Sequence, residues 1–127
     1  MKVEKYDIEK HCLILKDWLT ARKLTLPHED LFSDIGFVVN NIAIGFLFLT
    51  NSKQAYIDHL ATDPKSDKEE RRVALDKLFE TLEKTATDKG CLMITGLASM
   101  PAVRTRLDRG GYAHYGEFGL YYKVLGR

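Results

Sequence analysis

Residues 54–90, QAYIDHLATDPKSDKEERRVALDKLFETLEKTATDKG, limit the possible folds of this chain more than any other stretch. They open as a strand over 55–61, where β-branched, aromatic and polar residues mix. Asp63-Pro64 breaks that strand, because a residue before proline is pushed out of the helical region. The longest helical pattern of the chain follows. Ser66 and Glu69 spell a capping box, in which the two side chains satisfy free N–H groups of the first turn. Leu75, Leu78, Phe79, Leu82 and Ala86 recur at three- and four-residue spacing as one apolar stripe. Asp88-Lys89-Gly90 supplies the stop, with glycine free to take the left-handed conformation. A helical crossover makes the strands on either side of it parallel. It also aims the unpaired N–H groups of the helix N-terminus at the preceding loop, a common anion-binding device. Most strand–loop–helix units bind nothing, so this geometry alone assigns no ligand.

The flanking segments supply the rest of a sheet. Residues 2–7 read as a short first strand. Ile8, Cys12, Leu15, Trp18 and Leu19 then share one helical face, with Glu9, Lys10, Lys16 and Asp17 toward water. Pro27 interrupts, and Leu31 and Phe32 close a second helical turn. Residues 35–39 and 42–49 are strands joined by Asn40-Asn41, a pair that tolerates positive φ and suits a tight hairpin. Both strands are nearly continuous apolar, which predicts a sheet covered on both faces. After the long helix, 91–97 reads as a buried strand. Pro101 opens a short helix that ends at Gly110-Gly111, and 112–117 and 120–125 read as a final hairpin around Phe118-Gly119. The expectation is a mixed α/β sheet in a single domain over 1–127, ordered β-α-(α)-β-β-β-α-β-α-β-β, with helices on both faces.

Charge narrows the function. With 19 basic and 18 acidic residues the net charge is +1, so no bulk field argues for nucleic acid or a membrane surface. The Arg71-Arg72 pair and Arg104, Arg106 and Arg109 read as solvated helix faces. The sequence has no apolar run of membrane-spanning length and no export-signal spelling, so a cytoplasmic protein is expected. Cys12 and Cys91 lack metal spacing and read as reduced core thiols. Nucleophile-elbow, Walker, dinucleotide-binding and zinc-protease spellings are all missing.

This element order, with Ala61-Thr62-Asp63-Pro64 leading to the long helix and Arg104 to Tyr112 (RTRLDRGGY) preceding the last hairpin, resembles the GNAT superfamily of acyl-CoA-dependent N-acetyltransferases. The resemblance covers residues 2–125. It implies that acetyl-CoA lies where the fourth and fifth strands splay apart, with main-chain contacts from Leu60, Ala61 and Thr62 to the pantetheine arm. It implies phosphate contacts from a loop over 68–74, including Lys68, Arg71, Arg72 and Ala74. The implied reaction is direct attack of a primary amine on the thioester, helped by a base and an acid.

Against the family pattern, the phosphate loop has no glycine, and Leu107 stands where many members carry a tyrosine acid. Asp58 and His59 are the candidate bases, placed on opposite faces by strand alternation, with Asp58 sharing a face with Tyr56 and Leu60. His28 is a weaker candidate on the acceptor side, and His11 and His114 read as surface residues. Tyr112, Tyr115, Tyr121 and Tyr122 read as packing residues of the hairpin. Two functions fit: an acetyltransferase of unreadable acceptor, or a GNAT-fold binding or structural module without catalysis, of the kind a phage or mobile element encodes. A homodimer is compatible with either.

Overall fold

The structure, a computed structural model, describes residues 1–97, 101–116 and 119–126. In chain order the elements are β1 (Val3–Lys5), α1 (Ile8–Ala21), one 3-10 turn (Glu29–Leu31), β2 (Ile35–Val39), β3 (Ala43–Leu49), β4 (Gln54–Thr62), α2 (Lys68–Asp88), β5 (Met93–Gly96) and α3 (Pro101–Arg109). One sheet holds the strands in the order β1-β2-β3-β4-β5. Asn40 and Asn41 both take positive φ, 55° and 52°, and turn β2 back on β3 with Val39 opposite Ala43. β1 through β4 are antiparallel, and the α2 crossover makes β5 parallel to β4, from Gln54 opposite Met93 to Ile57 opposite Gly96.

Each face of the sheet is covered by one long helix. Ala74, Leu75, Leu78, Phe79, Leu82 and Ala86 of α2 bury against Val39, Ala43, Leu47, Ala55 and Ile57. On the other face Leu15 and Trp18 of α1 bury with Val38, Ile44, Phe46 and Ala61. The α2 stripe is the one its spacing predicts, with Ala74 added. The α1 face is rotated from its expected position: His11, Leu15 and Trp18 are its buried residues, while Ile8 is 40% exposed. His11, expected at the surface, is 1% exposed. Its Nδ1 accepts the Asp7 N–H at 2.9 Å, so the ring proton sits on Nε2, 3.0 Å from Glu4 Oε1. With both nitrogens bonded, the imidazole can enter the core without leaving a polar atom unpaired.

Three further expectations are corrected. The cap of α2 is Asp67, which accepts the Glu70 N–H at 2.8 Å. Ser66 instead donates its hydroxyl to Asp63 O at 2.8 Å, closing the turn that Pro64 opens. β5 is half-exposed at the edge of the described sheet, with Met93 57% and Leu97 51% exposed. The hairpin expected over 112–125 is not formed among the described residues, which hold no strand there, and Glu117 and Phe118 lie outside them. Leu120, Tyr121, Tyr122, Val124 and Leu125 are each at least 65% exposed, so alternation in this segment found no paired neighbour to make it a strand.

The helix stops agree with the sequence. Gly90 has φ +83°, its N–H bonds Thr87 O, and the Cys91 N–H bonds Ala86 O, a complete Schellman arrangement. Both cysteines are free thiols. No helix among the described residues is long and apolar enough to cross a membrane.

Candidate active site

A bulge in β4 sets the geometry of the site. Phe46 pairs with Asp58 and Ile44 with Ala61, so two residues of β3 step past three of β4. His59 absorbs the extra residue with φ +55°, a conformation uncommon outside glycine and asparagine. Asp58 Oδ1 accepts the His59 N–H at 2.7 Å, which holds the bulge closed. Strand alternation fails here as a consequence. Asp58, opposite Phe46, faces the α1 side, and the His59 ring lies on that side too, edge-on to Phe32 (4.8 Å), Phe48 (5.5 Å) and Phe46 (6.2 Å). Leu60 turns to the α2 side, where it packs on the core of that face.

Asp58 and His59 are therefore neighbours on one face, with Nε2 of the ring 3.9 Å from Oδ2. Asp58 is 43% exposed and His59 23%. Nδ1 of His59 is buried with no hydrogen-bond partner among the described residues. An unpaired buried polar atom costs about 1–3 kcal/mol, and with the positive φ it marks a strained position of the kind that gathers at functional sites.

Beyond the bulge the sheet opens. The β4–β5 ladder ends at Ile57 opposite Gly96, with a last contact from the Leu97 N–H to Ile57 O at 3.4 Å. β4 runs on to Thr62, so residues 58–62 have no strand partner on their β5 side among the described residues. Ala61 and Thr62 are 2% and 3% exposed. Thr62 Oγ1 accepts from Arg22 Nη2 at 3.1 Å.

The stretch 68–74, expected as a phosphate loop, is the first two turns of α2, and the true loop is 63–67. Lys68 is exposed at the first helical position. Arg71 turns back to donate to Ser66 O and, at 3.5 Å, to Pro64 O. Arg72 is bound to Glu69 (2.5 Å) and Asp76 (3.2 Å), and the Glu69 carboxylate raises its pKa. Ala74 is fully buried in the core and reaches nothing outside it.

Sequence spacing does not single out Arg22. It caps α1 and lies in the field of Arg71 and Asp63, and burial with the Arg71 charge lowers its pKa. Nothing in its spelling marks it, because the contact with Thr62 spans 40 residues. Arg106 and Arg109 converge on Asp76 with Arg72, so these arginines are tied into ion pairs between α2 and α3.

The expected acid position is apolar in space as well as in sequence. Leu107 packs on Gly96, its methyls 3.1 and 3.3 Å from where a β-carbon of that residue would stand. The Tyr112 hydroxyl donates to Glu83 Oε2 at 2.7 Å, and burial with this bond pushes its pKa up, so it holds the chain after α3 onto α2. His28, 71% exposed, accepts the Asp30 N–H and caps the 3-10 turn, and His114 is exposed as expected. Phe32 and Phe48, which contact the His59 ring, also line an open cleft of about 340 Å³ with Ser33, Asp34, Ile35 and Leu49.

No protein-family model matches the sequence, and no curated protein sequence matches it. Solved structures match over nearly the whole chain. A protein from Thermus thermophilus superposes with TM-score 0.68 at 15% identity, covering 100% of this chain and 99% of that one. Glucosamine-6-phosphate N-acetyltransferase from Arabidopsis thaliana gives 0.64 at 12% identity, over 96% and 98%. An aminoglycoside N-acetyltransferase in complex with CoA gives 0.63 at 16% identity, over 96% and 93%. At these identities the likeness is one of fold, and the fold is the mixed α/β arrangement of these N-acetyltransferases.

Proposed function

We propose that this protein transfers an acetyl group from acetyl-CoA to a primary amine. The observation that carries the reading is the opening between β4 and β5, with the Asp58–His59 bulge at its inner end and the N-terminus of α2 at its mouth. An extended amide-bearing arm such as pantetheine can bond the free β4 edge as an added strand would. Leu60, Ala61 and Thr62 supply main-chain groups, and Lys68, Arg71 and Arg22 supply positive charge for the diphosphate at the helix N-terminus. Arg72 contributes only by giving up its acidic partners, and Ala74 acts by seating α2 on the sheet.

In the reaction the amine nitrogen attacks the thioester carbonyl carbon. A C–N bond forms, the C–S bond breaks, and CoA leaves as thiolate. The proton released from the amine passes through a water to the Asp58 carboxylate, which the His59 N–H holds in place. A thiol with a pKa near cysteine's ~8.5 leaves unassisted at pH 7 for about 2 kcal/mol, so a leucine at the acid's place slows turnover without preventing it.

One observation favours the second reading, a GNAT-fold module without catalysis. The Asp67 carboxylate already sits on the free N–H groups of α2, where a diphosphate would have to bind. Calorimetry with acetyl-CoA and CoA decides between the two. Binding is expected to be weak and salt-sensitive, because screened side-chain cations replace main-chain contacts that glycines would allow. Arg71→Ala should weaken it several-fold, and Asp58→Asn should slow acetyl transfer by ~10²-fold at neutral pH, with a loss that shrinks as pH rises and the amine deprotonates itself. No heat at millimolar cofactor and low salt would favour the binding module.

A further inference from the structure

The two edges of the sheet are protected differently. β1 is three residues long and carries Glu4 and Lys5, a short charged spelling of the kind that keeps an edge from pairing with another chain. β5 has β4 as its one neighbour among the described residues, and the stretch 92–97, LMITGL, holds no charge and no proline. Met93 and Leu97 give their N–H groups to β4, so alternation turns those of Ile94 and Gly96 outward. Leu92, Met93 and Leu97 are 83%, 57% and 51% exposed. An edge of this kind is a template for one more strand.

The same chain carries a strand-like segment without a sheet. Leu120, Tyr121, Tyr122, Val124 and Leu125 are each at least 65% exposed, and Lys123 is the one charge in 120–125. Their aromatic and β-branched content suits a pleated surface. The chain leading to them is anchored on α2 beside β5. Tyr112 bonds Glu83, which lines an open cleft of about 250 Å³ with Cys91, Leu92, Met93 and Ile94. From that anchor, residues 113–116 and 119–126 form no strand on the nearby edge. A stretch such as 113–125 can extend about 40 Å, enough to reach a neighbouring molecule.

We propose that this protein forms a two-fold dimer by strand exchange, in which residues 120–125 of each copy pair with the β5 edge of the other. A chain that holds both a bare edge and an unpaired strand is complementary to a second copy of itself. Reciprocal exchange about a two-fold axis pairs both at once, with main-chain bonds supplying the register. Alternation puts Leu120, Tyr122 and Val124 on one face of the added strand and Tyr121, Lys123 and Leu125 on the other. The area is sufficient. A buried tyrosine removes ~150–250 Å² from water, so Tyr121 and Tyr122 of each copy supply about half of the ~800 Å² per partner that a stable interface buries. Leu120, Val124, Leu125 and the exposed side chains of β5 add to this.

The test is sedimentation equilibrium of the full chain, followed by isotope-filtered NMR on an equal mixture of labelled and unlabelled protein. A species of twice the 14.5 kDa chain mass is expected, with contacts from residues 120–125 of one copy to Ile94 and Gly96 of the other. The double change Lys123→Pro and Val124→Pro lies outside every helix and strand and removes a ladder N–H in either register. It should weaken the dimer by ~10-fold or more and leave the helical circular dichroism unchanged. A monomer at ~100 μM would overturn the proposal, because interfaces of this size hold at micromolar concentrations or below. Filtered spectra without contacts between copies, the mark of a segment that folds onto its own β5, would overturn it too. So would a double-proline variant that dimerises with unchanged affinity.

Discussion

At the N-terminus of α2, bonds from the Glu70 and Glu69 N–H groups hold the Asp67 carboxyl below its ordinary 3.8. A carboxylate whose folded pKa is depressed contributes stability above its unfolded pKa and loses it as pH falls through the folded value. Asp67 therefore supports the helix at neutral pH and begins to lose that contribution as pH falls below about 4. Glu69, beside Arg72, and Glu4, bonded by Lys10 and His11, are lowered from 4.5 and act in the same direction. Asp67→Asn keeps a good cap but removes the charge. Thermal stability at pH 7 should then change by only a few degrees, and the loss below about pH 4 should shrink. Acetyl-CoA affinity, measured by calorimetry, should rise several-fold, since the diphosphate no longer meets a carboxylate. Unchanged affinity would mean that the phosphates do not sit at this helix end.

Among the elements, the β1–β3 side of the sheet depends on close packing around Phe46. A β-carbon at Gly36 would stand 2.5 Å from two atoms of the Phe46 ring. That ring is hemmed in by Tyr6 at 4.8 Å and Phe32 at 4.9 Å, and it has no free direction in which to turn. Gly36→Ala should destabilise the protein by ~1–3 kcal/mol in urea unfolding, the usual effect of overpacking a filled core. Gly45→Ala would bring a β-carbon to Leu60, and to within 3.0 Å of the fully buried Leu78, and should destabilise the protein as well. The hairpin around these glycines was legible in the sequence because Asn40-Asn41 is a local signal. The bulge was not, since it is a mismatch between β3 and β4 that neither strand spells alone.

Across the whole molecule, apolar clusters cover the two faces of one sheet, and polar contacts fasten α3 and the segment after it to α2. Asp76 gathers Arg72, Arg106 and Arg109, Arg106 lies 4.8 Å over the Phe79 ring, and Tyr112 reaches Glu83. Burial raises Tyr6 to about 12, and Tyr112 is raised by burial and by its bond to Glu83. A group whose folded pKa lies above its unfolded value contributes stability that is complete below about pH 10 and lost as pH rises toward the folded value. Stability should accordingly fall from about pH 10 to 12, and the double change Tyr6→Phe and Tyr112→Phe should flatten that limb in denaturation curves. A limb unaffected by both changes would mean that other groups govern alkaline unfolding. The sequence by itself determined the helices, five of the strands and the parallel β4–β5 pair, because periodicity, prolines and turn residues act over a few neighbours. Only the tertiary structure decided that His11 is buried, that Asp67 rather than Ser66 caps α2, that Arg22 meets Thr62, and that Asp58 and His59 share a face. Each of these depends on which distant atoms, or which competing local bonds, satisfy a polar group once the chain has closed, and the residue type alone does not carry that information.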